Sequence, residues 1–430
     1  MLGKRILFVK LVIFSIKLYL DILFRSVSTA IRKQVYKLPF LKSKPPPPDA
    51  GERNIVIVGA SFAGYFAARL LATSLPPNTP FRVVVIEPHS HFNFTWVFPR
   101  FCVVKGHEHK AFIPYGKYIP ENLIRWVQDR VQTVERTHVQ LKGGEKVSYE
   151  FLLVATGSGA TDGLPSRVRE DEKGEGTRSL RKMQTKIEET KRLVVVGGGA
   201  AGVELAADAK GQYPEKQVVL VHSREALMNR FGMELQVASL EGLKTLGVNV
   251  ILGERLVSED VVEKNVTLSS GRKVDCDFLI HCSGQRPASD ILASLTSTSI
   301  NPSGHLRVKS TLQIADDSLP NIYACGDVAD TGEHNPNARH AMQQAKIASD
   351  NIVLAARGKK KQYTYKPHWA ESVIKLTLGL DKSVTHFGNG KTELLFPAEE
   401  KDLALMCDGS WKHWGVTPFE DDFEGETPKK

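Results

Sequence analysis

Apolar residues are distributed along this chain in two different ways. Residues 6–24 form a nearly continuous apolar stretch whose charged interruptions are Lys10, Lys17 and Asp21. At about 100° per residue these three fall within roughly 40° of one another, which predicts a helix with one thin polar stripe on an otherwise apolar cylinder. Farther on, short runs rich in Val, Ile and Leu recur and break at glycine or at a charged residue: Ile55–Val58, Phe81–Ile86, Phe151–Ala155, Leu193–Val196, Val218–Val221, Asp277–Cys282 and the run ending at Ala324. Runs this short and this uniformly apolar predict strands buried on both faces, as in parallel sheets. Between them, Ala63–Leu71, Gly202–Ala209 and a segment beginning near Arg339-His340 have helical character, and Pro76-Pro77 ends the first. Strand, helix and strand in alternation predict an α/β fold with parallel sheets.

Two of these strands lead into glycine turns. Ile55–Val58 is followed by Gly59-Ala60-Ser61-Phe62-Ala63-Gly64, and Leu193–Val196 by Gly197-Gly198-Gly199-Ala200-Ala201-Gly202. Such a pattern between a strand and a helix cradles a diphosphate: the first glycine makes the turn, the second permits close approach, and the third lets helix and strand pack. Two copies imply two dinucleotides on one chain, and hence electrons passing between them. Glu87 closes the second strand of the first copy, where a carboxylate takes the hydroxyls of an adenosine ribose. The second copy has His222-Ser223-Arg224 there instead, with no acid, a combination that accommodates a 2′-phosphate and therefore NADPH. Each copy ends in a closing strand that breaks at glycine, at Ala155-Thr156-Gly157 and at Ser283-Gly284, so duplication of one nucleotide-binding plan is the economical reading. Asp327 ends a later strand and precedes a helix, a position from which a carboxylate can bond a ribityl hydroxyl.

These signals predict two Rossmann-like dinucleotide-binding domains, which a resemblance to glutathione-reductase-like flavoproteins marks as FAD/NAD(P)-binding, with a small α+β C-terminal domain and an N-terminal hydrophobic helix. The expected boundaries are a basic membrane anchor (1–44), a proline-rich linker (45–52), an FAD domain in two parts (53–165 and 288–365), a nicotinamide-nucleotide domain (166–287), and a C-terminal domain with its tail (366–430). Pro45–Pro48 favour a stiff polyproline spacer. The C-terminal segment, which carries Trp411 and Trp414, is expected to cover the flavin and touch the membrane, and its last ten residues to be disordered.

Charge alters one inference. The formal net charge of +9 invites a nucleic-acid reading, but residues 1–44 hold ten Lys and Arg against Asp21, and the remainder balances at 47 of each sign. The body is neutral, so no nucleic-acid partner is expected. The basic apolar start is expected to lie in a membrane interface, with a tilted transmembrane anchor and a cleaved presequence as rival readings. The five cysteines include no C-x-x-C pair, so no redox dithiol is expected and electrons must leave the flavin for an external acceptor. His89, His91, His107 and His109 lack the spacing of a metal site, and no metal is expected.

Taken together, Val56-Ile57-Val58-Gly59-Ala60-Ser61-Phe62-Ala63-Gly64, Phe98-Pro99-Arg100, Ala155-Thr156-Gly157, Gly197–Ala206 and Tyr323–Asp330 stand in the order of a two-dinucleotide flavoprotein. Over residues 53–415 the chain resembles the apoptosis-inducing-factor-like branch, of the mitochondrion-associated and ferroptosis-suppressor type, which is similar to type II NADH:quinone oxidoreductases. The resemblance implies FAD held by Gly59, Ser61, Phe62, Ala63, Gly64, Glu87, Arg100, Ala155, Thr156, Gly157 and Asp327. It implies NAD(P)H at Gly197, Gly199, Gly202, His222 and Arg224, with Glu204 near the nicotinamide and Lys366 near the flavin as catalytic groups. Ser61 departs from the usual middle glycine but is small enough to allow the diphosphate near.

The expected activity is hydride transfer from NAD(P)H to FAD and then electron transfer to a quinone or other small acceptor. The expected location is a membrane, on its cytoplasmic face or at the mitochondrial outer membrane. The alternatives are reduction of a soluble carrier, such as an electron-transferring flavoprotein, ferredoxin or rubredoxin, and a non-enzymatic role in cell-death signalling.

Overall fold

The computed structural model describes residues 2–35, 53–76, 79–116, 118–119, 123–160, 163–282, 284–360 and 362–421. The polyproline segment, Ser283 and the acidic tail beyond Asp421 lie outside the described residues. The chain forms two compact units: residues 1–88, 116–158 and 286–372 make the first, and residues 89–115, 159–285 and 373–430 the second.

The first unit is built on a five-stranded sheet ordered Ile322–Ala324, Phe151–Val154, Arg53–Val58, Phe81–Ile86, Ile124–Val127. Every pairing is parallel, with Val58 beside both Ile86 and Val154. Residues 55–58 and 83–86 are at most 5 % exposed, which is why their sequence is apolar without alternation. Helices Phe62–Ser74 and Ala338–Ala356 belong to this unit; the first runs past the expected Ala63–Leu71, and the second begins next to the expected Arg339-His340.

The second unit repeats the plan with a four-stranded parallel sheet ordered Asn249–Ile251, Gln217–Val221, Arg192–Val196, Phe278–His281. Helix Ala200–Gln212 follows its first strand. An antiparallel sheet of Ile374–Thr377, Lys382–Gly388 and Glu393–Glu399, followed by helix Cys407–His413, belongs to the same unit. Trp411 and Trp414 are buried there, and the Trp411 indole N–H donates to the Lys110 carbonyl at 2.9 Å. The two indoles are core residues of the second unit, not a surface for lipid.

The N-terminal helix spans Leu2–Val35, well beyond the apolar stretch that predicts it. Leu7 is buried, and Leu11, Phe14, Leu18 and Asp21 are half-buried along one helical face. Phe14 stacks on His368 at 4.5 Å between ring centres, and Asp21 accepts from Lys346 Nζ at 2.5 Å. Asp21, one member of the thin polar stripe, is thus turned to the protein. Ile6, Val9, Ile13, Ile16, Leu20 and Phe24 remain exposed. No helix among the described residues is long and apolar enough to cross a membrane.

Candidate active site

The two glycine turns have the same geometry, residue for residue. Gly59 has a φ of +95° and Gly197 of +123°, a region closed to most side chains. A Cβ on Gly59 would stand 2.5 Å from the Ala155 carbonyl oxygen, and one on Gly197 2.9 Å from that of Cys282. A Cβ on Gly64 would lie 1.8 Å from the Gly59 oxygen, and one on Gly202 1.9 Å from that of Gly197, so the third glycine of each pattern sets how closely helix and strand pack. The Gly59 N–H donates to Ile86 and the Gly197 N–H to Val221, both at 2.9 Å. Ser61 and Gly199 are the N-caps of the two thirteen-residue helices. Neither supplies a side-chain capping bond, and the Ser61 side chain is exposed. The N–H groups of the first turn of each helix, with the dipole behind them, suit a diphosphate, and the shape reserved by the missing Cβ atoms admits one. The residues present therefore fit two dinucleotides.

Behind each turn the chain places an acceptor for its second amide. Glu87 Oε2 receives the Ala60 N–H at 2.6 Å, and His222 Nδ1 receives the Gly198 N–H at 3.0 Å. Glu87 and His222 each directly follow their strand and so occupy equivalent places. A carboxylate has lone pairs for an amide and for ribose hydroxyls together. Accepting at Nδ1 makes His222 the neutral imidazole protonated on Nε2, which lies 3.4 Å from Asn229 Oδ1. Burial, foremost, lowers the His222 pKa, and Arg224 adds to this. The Arg224 side chain is exposed next to it.

Ala155, Thr156 and Gly157 close the first turn from below: the Ala155 N–H bonds the Val58 carbonyl at 2.9 Å, and Thr156 Oγ1 donates to the Ala288 carbonyl at 2.7 Å. Asp327 is half-buried and accepts from Ser158 Oγ at 3.2 Å. It borders a cavity of about 230 Å³ lined also by Gly326, Asn337 and Gln344, at the start of helix Ala338–Ala356. Lys366 is exposed, directly after buried Tyr365 and before exposed Pro367. Phe62 is half-buried and Ala63 buried in the first turn of their helix.

In the second unit, Glu204 lies four residues before Asp208 on one helix face. Glu204 Oε1 accepts from the Thr377 N–H at 3.0 Å and its hydroxyl at 3.2 Å. Burial drives the Glu204 pKa up to about 8, so this carboxyl is protonated at neutral pH. Asp208 is fully buried, and burial raises it to about 6 against the pull of Arg100. Arg100 Nε donates to Asp208 Oδ2 at 2.7 Å, Nη2 to the Gly379 carbonyl at 2.9 Å, and Nη1 to that of Leu380 at 3.4 Å. The structure thus draws Arg100 to Asp208 and the 379–380 turn. Asp208 and Thr377 carry no sequence signal; only the spacing of four between Glu204 and Asp208 hints at a shared face. All five cysteines are free thiols, and burial raises Cys276 to about 11 and Cys282, Cys325 and Cys407 to about 12. None of these four is a thiolate at neutral pH, so none is poised as a redox nucleophile.

Comparison with known proteins agrees with this geometry. Residues 53–350 match the pyridine nucleotide-disulphide oxidoreductase family. Fe-regulated protein 8 of Mycosarcoma maydis is 32% identical over 85% of this chain and 96% of its own length. Ferroptosis suppressor protein 1 of Mus musculus is 31% identical over 86% and 98%. Among solved structures, the sulfide:quinone oxidoreductase of Aquifex aeolicus superposes with a TM-score of 0.68 at 15% identity, covering 84% of this chain and 90% of that one. The doubled nucleotide turn and these likenesses lead to one assignment: the chain belongs to the pyridine nucleotide-disulphide oxidoreductase family, beside ferroptosis suppressor protein 1, as an FAD-dependent oxidoreductase that draws on NAD(P)H.

Proposed function

We propose that this chain reduces a quinone at a membrane surface, with FAD in the first glycine turn and the nicotinamide nucleotide in the second. The observation that carries the reading is the repeated turn, whose glycines leave room for a diphosphate at two places on one chain. Bound FAD supplies the redox chemistry, accepting a hydride from the reduced nicotinamide and passing electrons to the acceptor.

The chain's own residues bind and orient. Gly59, Ser61, Phe62, Ala63 and Gly64 present the helix amides to the FAD diphosphate, Glu87 holds its ribose, Ala155–Gly157 support the turn, and Asp327 takes the ribitol. Gly197, Gly199 and Gly202 do the same for the nicotinamide nucleotide. Neutral His222 keeps the second turn in shape without adding negative charge, and Arg224 beside it can meet a 2′-phosphate, so NADPH is accepted. Glu204 presents an uncharged carboxyl near the nicotinamide, and Arg100 acts through Asp208, keeping that pair ionised while Glu204 stays neutral. Lys366 offers a cation to negative charge developing near the flavin. The division into an FAD part (53–165 and 288–365) and a nucleotide part (166–287) belongs to the same proposal.

The membrane and the quinone enter through the N-terminal helix. Its outward side is a continuous apolar surface flanked by exposed Lys4, Arg5, Lys10 and Lys17, which suits an interface with anionic headgroups. A helix lying there brings the reductase to lipophilic quinone, the class of acceptor named for the structurally similar Aquifex aeolicus enzyme.

Anaerobic mixing with NADH or NADPH should bleach the flavin, and ubiquinone in liposomes should restore its colour. A chain lacking the helix should still reduce a water-soluble dye but lose most turnover with liposomal ubiquinone. Bleaching by neither nucleotide overturns the assignment, and equal ubiquinone turnover without the helix overturns the membrane role.

A further inference from the structure

Reduction of a quinone needs more than electrons. A hydride brings two electrons and one proton, whereas conversion of quinone to quinol takes up two electrons and two protons. Each turnover, NAD(P)H + H⁺ + quinone giving NAD(P)⁺ + quinol, therefore draws one proton from solvent. The glycine turns supply no group for this task.

The first unit contains a buried set of titratable side chains that the nucleotide sites leave unused. His340, the third residue of helix Ala338–Ala356, is 1% exposed. Its Nε2 lies 2.9 Å from Glu333 Oε2, 3.7 Å from Glu371 Oε2 and 3.4 Å from Ser372 Oγ. Its Nδ1 is buried and has no hydrogen-bond partner among the described residues. Beyond Glu371, the buried Tyr365 hydroxyl donates to Glu371 Oε2 at 3.1 Å. Glu333 and His340 line the cavity that Asp327 borders, and Tyr365 directly precedes Lys366. Two carboxylates around one imidazole, with a phenol behind, cost desolvation energy that a merely structural contact does not require.

We propose that Glu333, His340, Glu371 and Tyr365 form a proton path from the cavity beside Asp327 to the segment carrying Lys366, and that it delivers the solvent proton each quinone requires. The proposal rests on the quinone-reductase reading. The two carboxylates differ in the sense a path needs. Burial raises Glu371, with only partial relief from His340. Burial also weighs on Glu333, but His340 and the Asn335 N–H bring it below its usual range, and His334 acts in the same direction. Glu333 therefore releases a proton readily and Glu371 retains one. Imidazole, with two ring nitrogens, can take a proton on one side as it gives one on the other.

The test compares two acceptors on the full-length flavin-loaded protein: a short-chain ubiquinone, which takes up protons, and ferricyanide, which takes only an electron. In H340Q and in E371Q, quinone turnover should fall about tenfold or more while ferricyanide turnover changes less than about twofold. Added imidazole should restore quinone turnover in H340A. A second readout is independent of turnover: in flavin-free protein, ¹³C NMR of the Glu371 carboxyl should show a protonation step that moves in H340Q. Unchanged quinone turnover in H340Q overturns the proposal, as does an equal loss with both acceptors or a Glu371 titration indifferent to H340Q. Should H340Q fail to fold, E371Q and Y365F carry the same comparison. Wild-type protein that reduces ferricyanide but no quinone would instead remove the quinone reading, and this proposal with it.

Discussion

Glu204→Gln tests the electrostatics of the second unit at one atom, because glutamine copies the shape and hydrogen bonding of a protonated glutamate and cannot ionise. The carboxyl titrates near 4.5 when free and near 8 in the folded chain, with burial as the main cause and Asp208 a lesser contributor. Between those values the folded chain holds one proton more than the unfolded chain, so wild-type stability falls as pH rises through the window, and this group adds no further pH dependence outside it. One pH unit corresponds to about 1.4 kcal/mol, so moving from pH 5.5 to 7.5 costs the wild type about 2.7 kcal/mol that E204Q does not lose. For a unit of this size that is a difference of roughly 5–10 °C in melting temperature. The assay is thermal denaturation of both proteins across pH 5 to 9, read as wild type minus E204Q so that every other titrating group cancels. E204Q should also bleach with NAD(P)H at near wild-type rate at pH 6.5 and outpace the wild type above pH 8.5, where the native carboxylate is charged. A pH-independent difference, or one that grows in the opposite direction, refutes the claim that Glu204 is neutral in the working protein.

Gly64→Ala places a methyl group 1.8 Å from the Gly59 oxygen, so the protein should lose its flavin colour; Gly409→Ala, where the space is open, should keep it. His222→Glu copies the Glu87–Ala60 arrangement at the second turn and adds a carboxylate. The ratio of kcat/KM for NADPH to that for NADH should fall by about tenfold or more, and an equal change for both nucleotides counts against the assigned role. Arg100→Met leaves Asp208 buried without its cation, a loss of about 3–5 kcal/mol in chemical denaturation, and adding Asp208→Asn should recover a large part of it.

The parts of the fold legible in the sequence are those set by local constraints. Phe81–Ile86 matches its strand residue for residue because its buried run Val83–Ile86 is unbroken and bounded by Pro80 and Glu87, and Gly59 and Gly197 stand out because only glycine meets both their φ and their close carbonyls. Contacts between distant segments leave no such trace. Arg100 finds Asp208 across 108 positions and Glu204 finds Thr377 across 173, so the residue types show that charges need partners but not which ones. Which side of the N-terminal helix faces the protein was similarly hidden, since a stripe of Lys10, Lys17 and Asp21 reads equally well as facing water or facing Lys346.

The pair Glu87 and His222 shows how the duplication itself explains a residue that neither copy explains alone. Taken singly, the acid reads as a ribose ligand and the histidine as a gap where an acid belongs. Set at equivalent places, both are acceptors for the second amide of a glycine turn, at 2.6 and 3.0 Å. The shared duty is to hold the turn, and in the proposed reading the ribose is a further duty that a carboxylate adds. Losing the acid therefore removes a preference for free ribose hydroxyls without loosening the turn, provided the replacement is a neutral acceptor. A cation such as lysine could not take the amide, and alanine would leave it without a partner. Histidine satisfies the turn without adding a carboxylate of its own beside Arg224, so under the proposed reading one residue choice at a strand end preserves the cradle and leaves it able to take a 2′-phosphate.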